Sequence, residues 1–200
     1  MPNLRVKIGK LELQNPVMPA AGTFGYGEEY ASLIDLNRLG AIVTKGISLA
    51  PREGNPPPRI WETPGGMLNS IGLHNIGLEA FAHLKLPFLR RFKVPVIVNF
   101  FGYTVGEYVA AVKRLNSLEG VSALEANLSC PNIKAGGIHF GCSVGSVTGI
   151  TKKIVKSSKL TIIVKLSCQV SNIKEIALAA EGEGAEAITL INSVPAMAID

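Results

Sequence analysis

The sequence predicts an α/β protein built on a parallel sheet, and within that class a (β/α)8 TIM barrel of which only about six of the eight strands are present. Three observations carry this. Short runs rich in Val, Ile and Leu recur along the chain, as strands buried on both faces should. Amphipathic helical patterns separate several of these runs. The runs end, one after another, in Lys45, Asn99, Asn127, Lys165, and Asn192 with Ser193. A dinucleotide-binding open sheet would show GxGxxG after its first strand, but "AAGTFGYGEEY" is glycine-rich at a different spacing. Polar residues gathered at the C-terminal ends of successive strands fit a barrel, whose sites are built there.

The elements follow in order. "RVKIG" and "LELQN", joined around Gly9 and Lys10, read as a hairpin over residues 4–15 that plugs one end of a larger fold. The strand runs are "PVMPA", "GAIVTKG", "VPVIVNFFG", "SALEANLSC", "LTIIVKLSC" and "EAITLINS". "GNPPPR" reads as a stiff extended loop, and "LRRFK" as a helix end or solvated turn. The patterns from Thr104 to Leu118 and from Asn172 to Ala185 predict helices, the second capped by Ser171 and stopped at glycine. The sequence ends at "VPAMAID", just after a strand, whereas a full barrel takes roughly 250 residues. The last two strands, which commonly supply a phosphate site, are therefore expected to be missing from these 200 residues.

Composition narrows the function. With 200 residues, 47% hydrophobic and 18% charged, the chain is expected to form one domain over residues 1–200 rather than a disordered segment. No apolar run approaches the roughly 20 residues of a membrane span. The N-terminus lacks a signal-peptide core, so a cytoplasmic location and no membrane contact are expected. The net charge of +5 comes without a dominant basic run. That argues against a nucleic-acid surface and leaves a mild attraction for small anions. Cys130, Cys142 and Cys168, an odd number at wide spacing, do not suggest a disulfide framework. His74, His83 and His139 show no zinc-ligand spacing with them, so no metal is expected. Cys142 and Cys168 read as small buried hydrophobes.

The strand-end residues suggest a chemistry. Lysines are fixed cations that stabilise developing negative charge. Asparagines offer donor and acceptor edges suited to an amide or imide ring. A cysteine such as Cys130 can abstract a proton or attack an electrophile. No acid pair and no Ser-His-Asp arrangement accompanies them. This favours proton abstraction from a planar, amide-rich substrate over hydrolysis, and hydride chemistry would need an external cofactor.

Those same stretches resemble the class 1B dihydroorotate dehydrogenases, the FMN-carrying catalytic subunits of pyrimidine biosynthesis. The likeness rests on "AAGTFGYGEEY", "GAIVTKGISLAPREGNPPPRIWETPGGMLNSIGLHN", "VIVNFFG", "EANLSCPNIKAGG" and "LINSVPAMAID", and it covers essentially the whole chain. "KGISLAPREGNPPPR" and "NLSCPN" are its most specific parts. The resemblance implies a TIM barrel of the FMN-linked oxidoreductase type. It implies oxidation of (S)-dihydroorotate to orotate, with Cys130 as base at ring carbon 5 and FMN as hydride acceptor. Lys45, Asn69, Ser70, Ile71, Gly72, Leu73, Asn127, Asn192 and Ser193 would hold the substrate. Ala21, Lys45, Gly46, Asn99, Asn127, Lys165 and Ile191 would hold the flavin. Electrons would pass to NAD through a partner subunit carrying FAD and a [2Fe–2S] cluster, around a homodimeric core in a heterotetramer. Against the family pattern, Ala21 stands where serine is common, "KLSCQV" replaces a Ser/Thr-Pro-Asn turn, and Ile76 replaces a proline. Alternatives are a fumarate-dependent class 1A enzyme, a dihydropyrimidine dehydrogenase-like domain, or a non-catalytic fragment.

Overall fold

The computed structural model describes residues 2–128 and 140–199. Strands β1 (Val6–Ile8) and β2 (Leu11–Leu13) pair as an antiparallel hairpin that turns at Gly9, with φ 55°. β3 (Ile42–Val43) opens the main sheet. A second hairpin follows, β4 (Ile60–Thr63) with β5 (Gly66–Asn69). A helical segment comes next: α1 (Leu78–Ala80), a π-helical turn (Phe81–Lys85) and α2 (Leu86–Leu89). Strand and helix then alternate: β6 (Val96–Phe100), α3 (Val105–Leu115), β7 (Ala123–Asn127), α4 (Val144–Ser157), β8 (Thr161–Lys165), α5 (Ile173–Gly182) and β9 (Ala187–Thr189). None of the described helices is long and apolar enough to cross a membrane.

The main sheet has five strands in the order β3-β6-β7-β8-β9, every pair parallel. Strands β6, β7 and β8 are buried at every position, the signature of a sheet covered on both faces. This corrects the count of about six. "PVMPA" forms no strand, because Pro16 and Pro19 have no N–H to give a ladder. The Val17 carbonyl accepts from Gly40 N at 2.8 Å, which ties this segment to the residues just before β3.

Helix ends are set by local chemistry. Thr104 Oγ1 accepts from Glu107 N at 3.1 Å, and Glu107 Oε2 accepts from Tyr103 N at 2.6 Å, a reciprocal cap on α3. Ser143 caps α4 through Ser146 N. The cap of α5 is Asn172 rather than Ser171: its side chain accepts from Lys174 N and Glu175 N, and its extended backbone leaves it just outside the helix.

Side-chain parity divides the core into two layers. Val98, Phe100, Leu124, Ala126, Ile162 and Val164 face outward and pack against Tyr108, Val112, Leu115, Val147, Ile150, Ile154 and Ile176 of the helices. Val43, Ile97, Ala123 and Ile163 point the other way, where Leu13, Ile8 and Leu11 of the first hairpin and Ala187 of β9 join them. The hairpin thus closes the end of the inner face at which the strands begin. Above this apolar floor the inner residues turn polar.

The sheet is curled around that inner face. Glu125 of β7 and Thr189 of β9 are separated by β8, yet Thr189 Oγ1 donates to Glu125 Oε2 at 2.6 Å. In a flat sheet their backbones would stand roughly 9.5 Å apart with side chains parallel. Meeting of alternate strands across a concave interior is how a barrel fills its lumen.

Candidate functional site at the strand C-termini

After β3 the chain continues beside β6: Thr44 N donates to Ile97 O at 3.0 Å, and Asn99 N donates to Thr44 Oγ1 at 3.2 Å. This carries Lys45 and Gly46 to the top of the inner face, level with Asn99. Lys45 is half-buried and its Nζ lies 3.4 Å from His74 Nδ1. Burial, and then the charge of Arg59, holds the Lys45 ammonium below its ordinary value, with Glu29 pulling the other way. An ammonium only donates, so the neutral imidazole receives it at Nδ1 and carries its own proton on Nε2.

Asn99 is 1% exposed, and its Nδ2 donates to Glu125 Oε1 at 2.6 Å. The other Glu125 oxygen takes the Thr189 hydroxyl, so both oxygens of this buried carboxylate are paired. Asn99 Oδ1 receives no hydrogen bond from any described residue. It faces Gly46, where a Cβ would sit 2.7 Å from it. Asn127 and Lys165 are register partners at the ends of β7 and β8. Lys165 is 5% exposed, and its ammonium makes no hydrogen bond or ion pair with another described residue. Asn127 is 9% exposed, and its carbonyl accepts the Tyr108 hydroxyl at 2.7 Å. Cys130 lies outside the described residues.

The loop after β5 forms the other wall. Asn69 and Ser70 are exposed, and Ile71, Gly72 and Leu73 are half-buried. Arg52 Nε donates to Gly72 O at 2.6 Å, Asn55 Nδ2 to Ser70 O at 2.7 Å, and Asn55 N to Ile71 O at 3.1 Å. Asn75, 3% exposed, fastens this loop to the one after β3 by bonding Ser48 N, Ser48 Oγ, Gly77 N and Leu73 O. Leu73 is held at φ 61°, a left-handed conformation uncommon for a bulky residue. On the far side, Asn192 N donates to Leu166 O at 3.1 Å beyond β9, with Ile191 and Ser193 exposed on either side. Ala21 packs with the inner apolar floor.

The structure therefore brings Lys45, Gly46, Asn99, Asn127 and Lys165 to one end of the inner face. Asn69 and Ser70, and Ile191 to Ser193, sit on loops on either side of it. Sequence reasoning missed Glu125, Thr189 and His74. A charged residue inside the apolar strand "ALEAN" was a signal for the first, because an ionisable group in a doubly buried strand needs partners. Cys142 is exposed and Cys168 half-buried, which corrects their assignment as buried hydrophobes. Cys142 Sγ lies 3.7 Å from Gln169 O, and burial pushes its thiol up.

A curled parallel sheet with alternating helices, plugged at one end and polar at the other, defines a barrel-type α/β protein with its site at the strand C-termini. Comparison with known proteins supplies the family. The family model described as dihydroorotate dehydrogenase matches residues 3–200, and the chain belongs to that family. It is 54% identical over 199 residues to the "Dihydroorotate dehydrogenase B (NAD(+)), catalytic subunit" of Trichlorobacter lovleyi, covering 100% of this chain and 66% of the relative. Proteins of the same name from Thermodesulfovibrio yellowstonii and a Thermoanaerobacter species are 54% and 52% identical, covering 100% and 99% of this chain. The chain spans 66% and 65% of the length of those two relatives.

Proposed function

We propose that this chain is the flavin-holding part of a dihydroorotate dehydrogenase of the NAD-linked type, acting in de novo pyrimidine biosynthesis in the cytoplasm. The observation that carries the reading is a pair of polar groups on largely buried strand-end side chains, unmatched by any described residue. Asn99 Oδ1 and the Lys165 ammonium have no partner among the described residues, although Asn99 is 1% and Lys165 5% exposed. Neither atom is sealed from solvent, so both are open to a ligand, and a planar heterocycle with N–H donors and carbonyl acceptors on one edge would fit both.

FMN, when bound, supplies the hydride acceptor. Gly46, Asn99, Asn127 and Lys165, with Ala21 and Ile191, would hold it, and the missing side chain at Gly46 leaves the Asn99 acceptor uncovered on that side. Lys165 would stand against the ring edge where negative charge develops, as a fixed cation opposite it. Lys45, in contact with His74, would lie between ring and substrate. Asn69, Ser70, Asn127, Asn192 and Ser193 would orient the dihydroorotate ring and its carboxylate, with Ile71, Gly72 and Leu73 excluding water beside it. Cys130 would take the proton from ring carbon 5 as general base. Electrons would leave through a separate subunit carrying FAD and a [2Fe–2S] cluster, in a heterotetramer built on a homodimer. The relatives' name, a catalytic subunit, supports a separate partner subunit.

The test is optical. The purified chain is mixed with FMN, and the visible spectrum is followed under argon as dihydroorotate is added. Bound flavin that bleaches supports the reading, and Cys130→Ser should slow bleaching by about 10²–10⁴-fold. Bound flavin that ignores dihydroorotate but responds to another reductant would overturn the substrate assignment.

A further inference from the structure

Glu125 has no part in the chemistry above, yet it is an acidic side chain, 3% exposed, in the middle of the inner face. Such a group persists in a core only when its oxygens are matched. Here one oxygen takes Asn99 Nδ2 and the other Thr189 Oγ1, each at 2.6 Å. A carboxylate accepts only, so the amide must present its nitrogen to Glu125. Its carbonyl oxygen is then forced to the opposite side, toward Gly46. Without the carboxylate the amide could turn over and offer a donor there instead. The Thr189 bond matters for the same reason: it anchors the carboxylate to the last strand of the sheet and leaves one oxygen for Asn99.

We propose that Glu125 is a positioning residue, which locks the Asn99 amide so that Oδ1 faces across Gly46 as an acceptor for an N–H on the edge of the bound heterocycle, with Thr189 holding Glu125 in place. This rests on the flavin reading for the identity of the heterocycle, but the locking of Asn99 does not. The polarity it sets is specific. A ligand edge with a donor at that point is accepted, and one with an acceptor there is refused.

The experiment uses the whole chain and four variants: Glu125→Ala, Glu125→Gln, Thr189→Val and Asn99→Asp. Asn99→Asp identifies the Asn99 side-chain amide pair in a ¹H–¹⁵N spectrum. FMN affinity is read in parallel by quenching of flavin fluorescence. A bond to a carboxylate moves one amide proton downfield, so wild type should show a widely split Asn99 pair, and Glu125→Ala should lose the splitting. FMN affinity should fall at least about tenfold in Glu125→Ala, as for loss of one hydrogen bond to a charged group. Glu125→Gln, which can still accept from Asn99, should recover most of it. Thr189→Val should fall between, and it carries the test if Glu125→Ala does not fold. An unsplit Asn99 pair in wild type, unchanged FMN affinity in folded Glu125→Ala, or a Gln variant as weak as the Ala variant would each overturn the proposal. If wild type takes up no FMN, the flavin reading fails, and the amide splitting alone decides the role of Glu125.

Discussion

Lys45 Nζ and His74 Nδ1 lie 3.4 Å apart, joining the loop after β3 to the loop after β5 across the mouth of the inner face. The contact has a pH signature. Burial, and then the charges of Lys45 and Arg59, holds His74 below the ordinary imidazole value of 6.5, against a smaller opposite pull from Glu53. A base whose folded pKa lies below its unfolded value leaves stability untouched above the unfolded value, and destabilises the fold as pH drops through it. The difference in urea midpoint between His74→Gln and wild type should therefore shift in favour of the variant as pH falls from about 8 to about 5. A difference independent of pH would mean that His74 does not titrate against Lys45.

Gly46→Ala tests the space beside Asn99. The new Cβ would sit 2.7 Å from Asn99 Oδ1 and 3.5 Å from a Phe101 ring carbon. Asn99 is held by Glu125 and cannot give way freely, so overpacking should cost about 1–3 kcal/mol of stability. FMN affinity should fall by more than stability does, because the added methyl group occupies the face across which the ring edge would be met. Equal affinity for FMN in this variant would contradict the placement of the flavin.

Gly40→Ala should be more damaging although it is far from the chemistry. A Cβ at residue 40 would meet the Asn15 backbone carbonyl oxygen at 1.9 Å. Backbone cannot swing aside as a side-chain tip does. Here it is also pinned, since Asn15 Nδ2 donates to Arg38 O at 3.0 Å and Gly40 N to Val17 O at 2.8 Å. A loss of at least about 3 kcal/mol is expected in denaturant unfolding. A loss under about 1 kcal/mol would show that this crossing adjusts.

Tyr108→Phe removes a buried hydroxyl. Tyr108 is fully buried, with its ring at 5.8 Å and 65° to Phe100, and its hydroxyl donates to Asn127 O at 2.7 Å. Phenylalanine keeps the ring contact, so the expected loss is about 1–2 kcal/mol for the removed hydrogen bond. Because that carbonyl ends β7, the variant should also bind FMN more weakly than its stability change accounts for. Equilibrium unfolding and fluorescence quenching, run on the same preparation, separate the two effects.

What the sequence determined by itself is whatever a short window of chain controls. The all-buried strands β6, β7 and β8 were legible because parallel strands under helices need Val, Ile and Leu on both faces, and that is a local composition. Helix α3 was legible from its spacing, and Lys45, Asn99, Asn127 and Lys165 stood out because each ends an apolar run. Where neighbouring residues compete, the same reasoning slipped: "PVMPA" has a strand's composition but two prolines, and Asn172 displaced Ser171 as a cap. The hairpin β4–β5 and the segment from Leu78 to Leu89 carry weak signals, with an exposed Trp61 in one and a π-turn in the other.

Only the tertiary structure decided which of these residues meet. Glu125 and Thr189 are 64 positions apart, and Lys45 and His74 are 29 apart. Their contacts depend on strand order, on one-residue register, and on a curl that brings alternate strands together above the apolar floor. Those are properties of the whole sheet, set by packing against helices and hairpin. No window of the chain long enough to hold one strand contains the information to pair a carboxylate with an amide on the next strand and a hydroxyl two strands away.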